Sequence, residues 1–375
     1  MHKKDIKLNL LSHSEAKVRL LNEYLKRYIN IISNDRFTEK INIYDLFCGQ
    51  GLYEDNKEGS PIVILRQVQD TYKLLVERKT DKIPSIDCQF NDKDKDKIDI
   101  LRNAIIALSL HNPSSGNLIL TSQDYKEEVT RLARTFKKTR NEKHFVFIDP
   151  YGYKDIRSEH LKSLMDCGKK CEILLWLPVQ HMYRFSENGT PEALLDFIEE
   201  LTQYKEWVPN DNVWKFVNQL REGFQKSLGE KYFVDHFSIK KDEKTVFCLY
   251  FFTSHIRGFE EMLEAKWEID TENGRGWEFS GNVPSLFYEY RTNALEQKLK
   301  AYLATKRCFN NDIYEFTLRQ GYLPKHTNEI FESWQTNGLL DVYLSEGVKA
   351  RKGAFYVKYY KAGDANNNKV YFKLK

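Results

Sequence analysis

The chain has 375 residues, of which 41% are apolar, and a net charge of +4; this is the composition of a folded globular protein, not of a disordered chain. Its length allows two domains. No apolar run approaches the roughly 18 residues of a membrane span, and the polar start Met1–Asp5 lacks the pattern of a signal peptide. We therefore expect a cytoplasmic protein without a membrane partner. The small net charge alone does not indicate nucleic-acid binding.

Alternating helix and strand patterns run through residues 15–266. The expected elements, in chain order, are helix 15–33, strand 41–47, helix 62–75, strand 85–90, a helix through 101–108, strand 118–121, helix 129–139, strand 145–148, helix 159–165, strand 172–177, helices 194–201 and 213–228, strands 232–239 and 246–253, and helix 259–266. The polar connection 240–244 favours an antiparallel hairpin between the last two strands. This order predicts the α/β class, with a Rossmann-like class I methyltransferase sheet that is mostly parallel and has one antiparallel strand.

The pattern changes after Trp277. Three short helices are expected at 293–303, 311–319 and 326–336, followed by the segment 349–375 with eight basic residues, six aromatic residues and the single acid Asp364. Basic side chains neutralise phosphates and aromatic rings stack on unpaired bases, so this segment is a candidate nucleic-acid surface. Alternatively, it is a terminal β-hairpin whose aromatic residues pack inward. We expect a winged-helix-like domain at 286–375, with the hairpin as the wing, after a methyltransferase-like domain at 1–285.

Two predicted strands end in turns that carry an acid. The segment IYDLFCGQG (Ile43–Gly51) ends in a glycine-rich turn, and HFVFIDPYG (His144–Gly152) ends in an Asp-Pro-aromatic turn. In a doubly wound sheet, ligands bind beyond the carboxyl ends of the strands. The first turn is suited to a cofactor and the second to the group that is modified. Their order and spacing predict an S-adenosylmethionine-dependent methyltransferase.

The cofactor-binding candidates lie at the ends of the first three strands. Asp45 could accept a hydrogen bond from the cofactor's α-amino group. Phe47 lies in the same turn, and Gly49 and Gly51 would let the backbone approach the methionine part closely. The ribose and adenine groups need acids after the second and third strands, for which Asp92 and Asp124 are the candidates; Asp94, Asp96 and Asp99 compete for these roles.

The acceptor candidates are Asp149, Tyr151 and Arg184. The Asp149–Gly152 turn resembles the Asp-Pro-Pro-Tyr turn of methyltransferases that act on exocyclic amino nitrogens. There the carboxylate accepts from the amino group and the aromatic ring stacks on the base. Here the second proline is absent and Gly152 stands in place of the expected residue. Arg184 could clamp a phosphate or carboxylate, or it could pair with Asp155 or Glu187.

Two other classes of site are not supported by the cysteines. The turn at Asp45 also looks like the opening motif of DNA cytosine carbon-5 methyltransferases, but the chain has no Pro-Cys pair to supply their nucleophile. Cys48 is therefore expected to pack as a small apolar group. Cys167 and Cys171 are four residues apart, as metal ligands on a helix can be, but no second Cys/His pair stands nearby. We expect no metal site.

Several segments together resemble the three-Cys-motif partner family of methyltransferase-like proteins. These are Tyr24–Leu25, Asp45–Gly51, Gly59–Pro61, Phe147–Gly152, Glu172–Leu175 with Arg184, Thr253–His255 with Gly258, Met262 and Trp267, and Pro324–His326. The resemblance implies a Rossmann-like methyltransferase domain, a winged-helix tail and a partner protein with a three-cysteine motif. It leaves two functions open: a methyltransferase acting on nucleic acid, or a non-catalytic partner that binds nucleic acid or a companion enzyme.

Overall fold

The computed structural model describes residues 13–53, 57–79, 82–153, 155–179, 182–183, 194, 196, 198–200, 213–242, 245–270, 274, 276–278, 293–360 and 367–375. The chain divides into two compact units. One comprises Met1–Glu261 and Gly276–Gly281, and the other comprises Met262–Arg275 and Asn282–Lys375. None of the helices in the described ranges is long and apolar enough to cross a membrane.

The first unit contains an eight-stranded sheet. Its strands are β1 Lys40–Asp45, β2 Ser85–Asn91, β3 Leu118–Thr121, β4 Glu142–Ile148, β5 Cys171–Leu177, β6 Phe233–Asp242, β7 Thr245–Thr253 and β8 Gly276–Glu278. Their spatial order is β3-β2-β1-β4-β5-β7-β6-β8. Within this sheet β7 runs antiparallel to both neighbours and the other described pairs are parallel. The predicted Rossmann-like sheet with one antiparallel strand is confirmed, and β8 is an addition.

Helices cover both faces of this sheet. They are α1 His13–Ser33, α2 Ser60–Glu77, α3 Lys95–Ala107, α4 Tyr125–Lys138, α5 Ser158–Met165, α6 Val213–Leu228 and the start of α7 Ile256–Ile269, whose residues from Met262 belong to the second unit. The central strands β1, β4 and β5 are buried on both faces, which explains the apolar runs Phe145–Ile148 in β4 and Ile173–Leu177 in β5. Of the predicted helix 194–201, the described residues 194, 196 and 198–200 are helical.

The starts of helices α2 and α4 differ from the prediction for identifiable reasons. Helix α2 begins at Ser60 with Pro61 in its first turn, where a missing N–H costs nothing. Ser60 and Pro61, which were expected to precede the helix, are therefore part of it. Helix α4 begins at Tyr125, four residues earlier than expected, because the Asp124 side chain accepts from the Lys126 N–H and caps the helix.

Helix α1 is fixed to the sheet by a buried polar cluster. The Tyr24 hydroxyl donates to the Glu172 carboxylate at the start of β5, and the Thr253 hydroxyl donates to the same carboxylate at 2.9 Å. A Cβ at position 258 would lie 2.0 Å from Glu172 Oε1, so only glycine fits there. Burial raises the pKa of Glu172 to about 7. This cluster gives the Glu172 and Thr253–Gly258 segments a structural role.

The described part of the second unit contains the end of α7, three further helices and a three-stranded antiparallel sheet. The elements are α8 Asn293–Thr305, β9 Cys308–Phe309, α9 Asn310–Arg319, α10 Pro324–Thr336, β10 Leu340–Leu344 and β11 Val370–Leu374. The sheet order is β10-β11-β9. The three predicted helices are confirmed. The terminal hairpin expected within 349–375 is wrong, because β11 pairs with β10 instead. Residues 349–360 form no strand, since Tyr356 has a left-handed backbone (φ +53°) and Phe355 packs against Phe331.

The six cysteines are all free and buried. Cys167 lies in the turn after α5 and Cys171 begins β5, so the two do not share a helix. Cys48 is buried in the glycine turn, as expected for a small apolar group. In the described part of the chain, no group of three or more His, Cys, Asp or Glu side chains could hold a metal ion.

Candidate functional site

The carboxyl ends of β1, β2 and β4 bring the predicted acids to one edge of the sheet. Asp45 ends β1, Asp92 follows β2 and Asp149 follows β4. Backbone hydrogen bonds hold the three strand ends together: the Leu46 N–H donates to Phe147 O (3.1 Å), and the Cys48 N–H donates to Asn91 O (2.9 Å). The structure thus brings together these predicted cofactor and acceptor residues.

Asp45 has a buried carboxyl group with one oxygen still available. The Phe47 N–H donates to Oδ1 at 3.2 Å, whereas Oδ2 has no hydrogen-bond partner among the described residues. Burial raises the pKa of Asp45 to about 7; the Ser60 hydroxyl opposes this rise, and the nearby Asp149 carboxylate adds to it. A buried carboxylate without a full set of partners is costly. Oδ2 is therefore suited to accept from a cationic donor such as an amino group.

The glycine turn has two glycines with different reasons for their left-handed backbones. Gly49 (φ +62°) lies under the Tyr53 hydroxyl, which would be 2.9 Å from a Cβ there. Gly51 (φ +80°) packs on the inside of the turn, where a Cβ would lie 2.5 Å from Leu101 Cδ1. At Gly49 the obstructing atom is thus the end of the half-exposed Tyr53 side chain, which can move. Gly51 is required by packing.

The helix that follows the turn does not start directly after it. The Gly59 N–H donates to Gly51 O at 2.7 Å, which closes the intervening loop and brings the chain back before α2 begins. A Cβ at position 59 would lie 3.0 Å from the Gly51 oxygen. This close approach explains the glycine that precedes Ser60 and Pro61.

Asp92 fastens the glycine turn to the end of β2. Its Oδ2 accepts from the Gly49 N–H at 3.1 Å, and its Oδ1 accepts from the Asp94 N–H at 2.9 Å. Asp92 is 5% exposed, and its Oδ2 lies 4.0 Å from the Lys97 ammonium. Each carboxylate oxygen has two lone pairs, so a ribose hydroxyl could still bind. Asp92 holds the turn in place, a role that the sequence did not indicate.

Asp149 and Tyr151 are each contacted by a lysine. The Lys17 ammonium is ion-paired with Asp149 Oδ2 and lies 5.1 Å from the centre of the Trp176 ring. Tyr151 is 86% exposed, and the Lys97 ammonium donates to its hydroxyl at 2.6 Å. The Tyr151 hydroxyl and, more weakly, Asp92 raise the pKa of Lys97. The Asp149–Gly152 turn, the predicted acceptor turn, therefore has a lysine ammonium against each of these two side chains.

Phe47 and Asp124 have contacts that the sequence did not predict. The Phe47 ring stacks on Tyr125 with centroids 4.9 Å apart, so it packs against the first residue of α4. Asp124 Oδ1 caps α4, and Oδ2 lies 3.4 Å from the Lys93 ammonium. Both side chains lie near the carboxyl ends of the strands, where Phe47 packs against α4 and Asp124 caps it. Their contact with a cofactor stays a prediction.

Arg184 lies outside the described residues, as does its alternative partner Glu187. The residues that sequence reasoning missed are Lys17, Lys97 and Tyr53. Tyr53 stands two residues after Gly51, and burial together with Asp149 and Asp45 raises its pKa to about 12. Lys97 lies in the acid-rich run after β2, where the sequence does not distinguish it from Lys93 and Lys95. Lys17 gave no signal, because its partner is 132 positions away.

We found no protein-family model and no curated protein that matches this sequence. Solved structures resemble it at low identity. A Legionella pneumophila protein of family DUF519 shares 13% identity over 67% of this chain and 89% of its own, with a TM-score of 0.39. An O-methyltransferase from Bacillus cereus, solved with SAH, shares 10% identity over 62% of this chain and 80% of its own, with a TM-score of 0.36. The methyltransferase domain of bacterial CtHen1-C shares 11% identity over 62% of this chain and 98% of its own, with a TM-score of 0.31. Similarity this weak establishes no shared function.

Proposed function

We propose that this protein is an S-adenosylmethionine-dependent methyltransferase that binds its cofactor at the carboxyl edge of the first unit's sheet. The observation that carries the proposal is Asp45 Oδ2, a fully buried carboxylate oxygen without a partner among the described residues, one turn away from the left-handed Gly49. A site for a ligand with a cationic amino group explains both features. The order of the strands supports the same interpretation.

Each acid has a distinct role in this proposal. Asp45 Oδ2 accepts from the α-amino group, and its carboxylate becomes fully ionised when that cation is present. Asp92 positions the glycine turn through the Gly49 N–H and accepts from the ribose. Asp124, at the start of α4, accepts from the adenine amino group. The bound cofactor supplies an electrophilic methyl group on its sulfonium sulfur.

The acceptor turn orients the group that receives the methyl. Asp149 already holds one nitrogen donor, the Lys17 ammonium, which indicates that an acceptor amino group could take the same position. The exposed Tyr151 ring supplies a stacking surface, and Lys97 beside it supplies a positive charge for a phosphate. A nucleotide whose base carries an amino group fits all three: its amino group binds Asp149, its base stacks on Tyr151 and its phosphate pairs with Lys97. A winged-helix-like second unit and a partner protein with a three-cysteine motif complete the proposal.

One observation favours the alternative, a non-catalytic partner or adaptor protein. Lys17 and Lys97 engage the two residues that the acceptor turn would offer, Asp149 and Tyr151. A protein that has lost catalysis can keep such a turn in a closed, internally paired state. The alternative predicts cofactor binding without methyl transfer, or no cofactor binding.

The test is isothermal titration with S-adenosylmethionine and S-adenosylhomocysteine. We expect micromolar binding to the wild-type protein, loss of binding in Asp45→Ala, and wild-type affinity in Asp70→Ala, which removes an exposed acid from α2. Labelled methyl transfer to RNA or DNA that disappears in Asp149→Ala would then identify the protein as an enzyme. If neither compound binds to the folded wild-type protein, the proposal is wrong.

A further inference from the structure

The three-stranded sheet of the second unit carries a row of aromatic side chains on its outer face. Phe309, Tyr371 and Tyr343 stand directly opposite one another on β9, β11 and β10. Their chain neighbours Cys308, Phe372 and Val342 are buried against the helices, so the row points away from the core. The Tyr343 and Tyr371 rings are stacked, with centroids 5.3 Å apart and planes 17° apart.

A guanidinium extends this row. The Arg307 guanidinium carbon lies 3.5 Å from the centre of the Tyr371 ring and 5.3 Å from that of Phe309. Arg307 has no ion pair among the described residues. Its planar group is therefore stacked on an aromatic face and not engaged with an acid. Arg307, Tyr371 and Tyr343 form a ladder of three planar groups.

The surroundings of the ladder are positively charged. Lys373 is exposed on the outer face of β11, and Lys369, just before β11, lies 5.1 Å from the Tyr360 ring. Among the described residues, the acid on this face is Asp341, which lies 2.8 Å from Lys349 and 3.3 Å from Lys375, so its charge is neutralised. Stacked rings with cations on their flanks match a nucleic-acid strand, whose bases have π-faces and whose phosphates are anionic.

We infer that this outer face binds single-stranded nucleic acid by stacking unpaired bases against the ladder of Arg307, Tyr371 and Tyr343. A duplex hides the faces of its bases, so stacking of this kind requires unpaired ones. An acidic peptide would use the lysines but gain little from the rings. The inference deepens the nucleic-acid part of the proposed function and rests on that part alone, because no residue of the cofactor site takes part.

The test is fluorescence anisotropy of the full-length protein with a labelled oligonucleotide of about 12 nucleotides. We expect the single strand to bind at least about fivefold more tightly than a duplex of the same length. Tyr371→Leu should weaken single-strand binding about tenfold, whereas Tyr371→Phe, which keeps the ring, should stay within about twofold of the wild type. Tyr72→Leu, which removes a half-buried ring from α2, is the control and should change nothing.

Three results would overturn the inference. These are equal affinity for duplex and single strand, equal affinity of the Tyr371→Leu and Tyr371→Phe proteins when both are folded by circular dichroism, and displacement of the oligonucleotide by poly-glutamate as effectively as by unlabelled single strand. Titration with S-adenosylmethionine on the same samples separates this outcome from that of the cofactor proposal. Either site can then fail while the other stands.

Discussion

The Lys17 ammonium and the Asp149 carboxylate form an ion pair although the two residues are 132 positions apart in the chain. The pair joins the second turn of α1 to the turn after β4. Its side chains are only 13% and 19% exposed, so solvent screens it less than a surface pair. The nearby Trp176 ring adds a second contact to the ammonium. The pair should therefore contribute measurably to stability.

We predict a coupling free energy of about 1–3 kcal/mol between Lys17 and Asp149, from a double-mutant cycle with Lys17→Met and Asp149→Asn. The losses of stability in the two single variants should add up to more than the loss in the double variant, because each single variant leaves one charge partly buried and unpaired. Urea unfolding monitored by tryptophan fluorescence measures the four proteins. The exposed pair of Lys73 and Glu77, 4.0 Å apart, is the control and should couple by less than about 0.5 kcal/mol. Equal coupling in both pairs would contradict the prediction.

Asp45 should make both stability and cofactor affinity depend on pH. Its folded-state pKa of about 7 is above the ordinary value of 3.8, so the folded protein holds this proton longer than the unfolded chain does. The free energy of unfolding should therefore fall as the pH rises from about 4 to about 7, and Asp45→Asn should recover about 2–4 kcal/mol at pH 8. A cationic ligand favours the ionised acid, so affinity for S-adenosylmethionine should rise over the same interval.

Glu172 supplies the control for this prediction. Its pKa is also raised to about 7 by burial, but it lies at the start of β5, at the opposite edge of the sheet from Asp45. Glu172→Gln should reduce the dependence of stability on pH and leave the pH profile of cofactor affinity unchanged. If both variants alter the affinity profile equally, Asp45 is not the group that the ligand contacts.

The two glycines of the turn should respond differently to alanine. Gly51→Ala requires both a strained backbone and displacement of Leu101, whose Cδ1 would be 2.5 Å away, and should cost about 3 kcal/mol. Gly49→Ala should cost about 1–2 kcal/mol for its backbone alone, since the Tyr53 hydroxyl can move aside. Thermal and urea unfolding measure the difference. Gly152→Ala, where a Cβ would meet nothing within 4 Å, is the neutral reference.

Asp124 should behave first as a helix cap. Asp124→Ala should destabilise the protein by about 1 kcal/mol because the Lys126 N–H loses its acceptor, whereas Asp124→Asn should keep the cap and the stability. Titration of both variants with S-adenosylmethionine then examines the adenine role separately. Full affinity in Asp124→Asn and Asp124→Ala would remove Asp124 from the cofactor site and leave it the cap alone.

The sequence predicted the sheet well because its strands differ sharply from their surroundings. Buried strands β4 and β5 contain the continuous apolar runs Phe145–Ile148 and Ile173–Leu177, and β3 was predicted with its observed bounds. The three-residue β8 is too short for any periodicity to be recognised. The cap at Asp124 was readable, because Glu127 stands three residues later in the pattern typical of a helix start.

The candidate site could be predicted only in part. Asp45, Asp92 and Asp149 follow strands, so the rule that ligands bind at carboxyl ends located them. The side chains that contact these residues could not be predicted. The Lys97–Tyr151 contact bridges 54 positions, and nothing in a sequence states which lysine reaches which ring. The buried Asp45 oxygen without a partner is likewise a property of packing, and only the three-dimensional arrangement reveals it.

The attachment of α1 has a consequence for synthesis on the ribosome. The N-terminal helix is made first, yet Tyr24 contacts Glu172 of β5 and Phe251 of β7, strands that end at Leu177 and Thr253. Helix α1 cannot dock until most of the first unit has emerged, and Lys17 on the same helix cannot reach Asp149 in its final geometry before then. The acceptor turn is therefore completed late, and a protein interrupted before β7 should expose it in an open form.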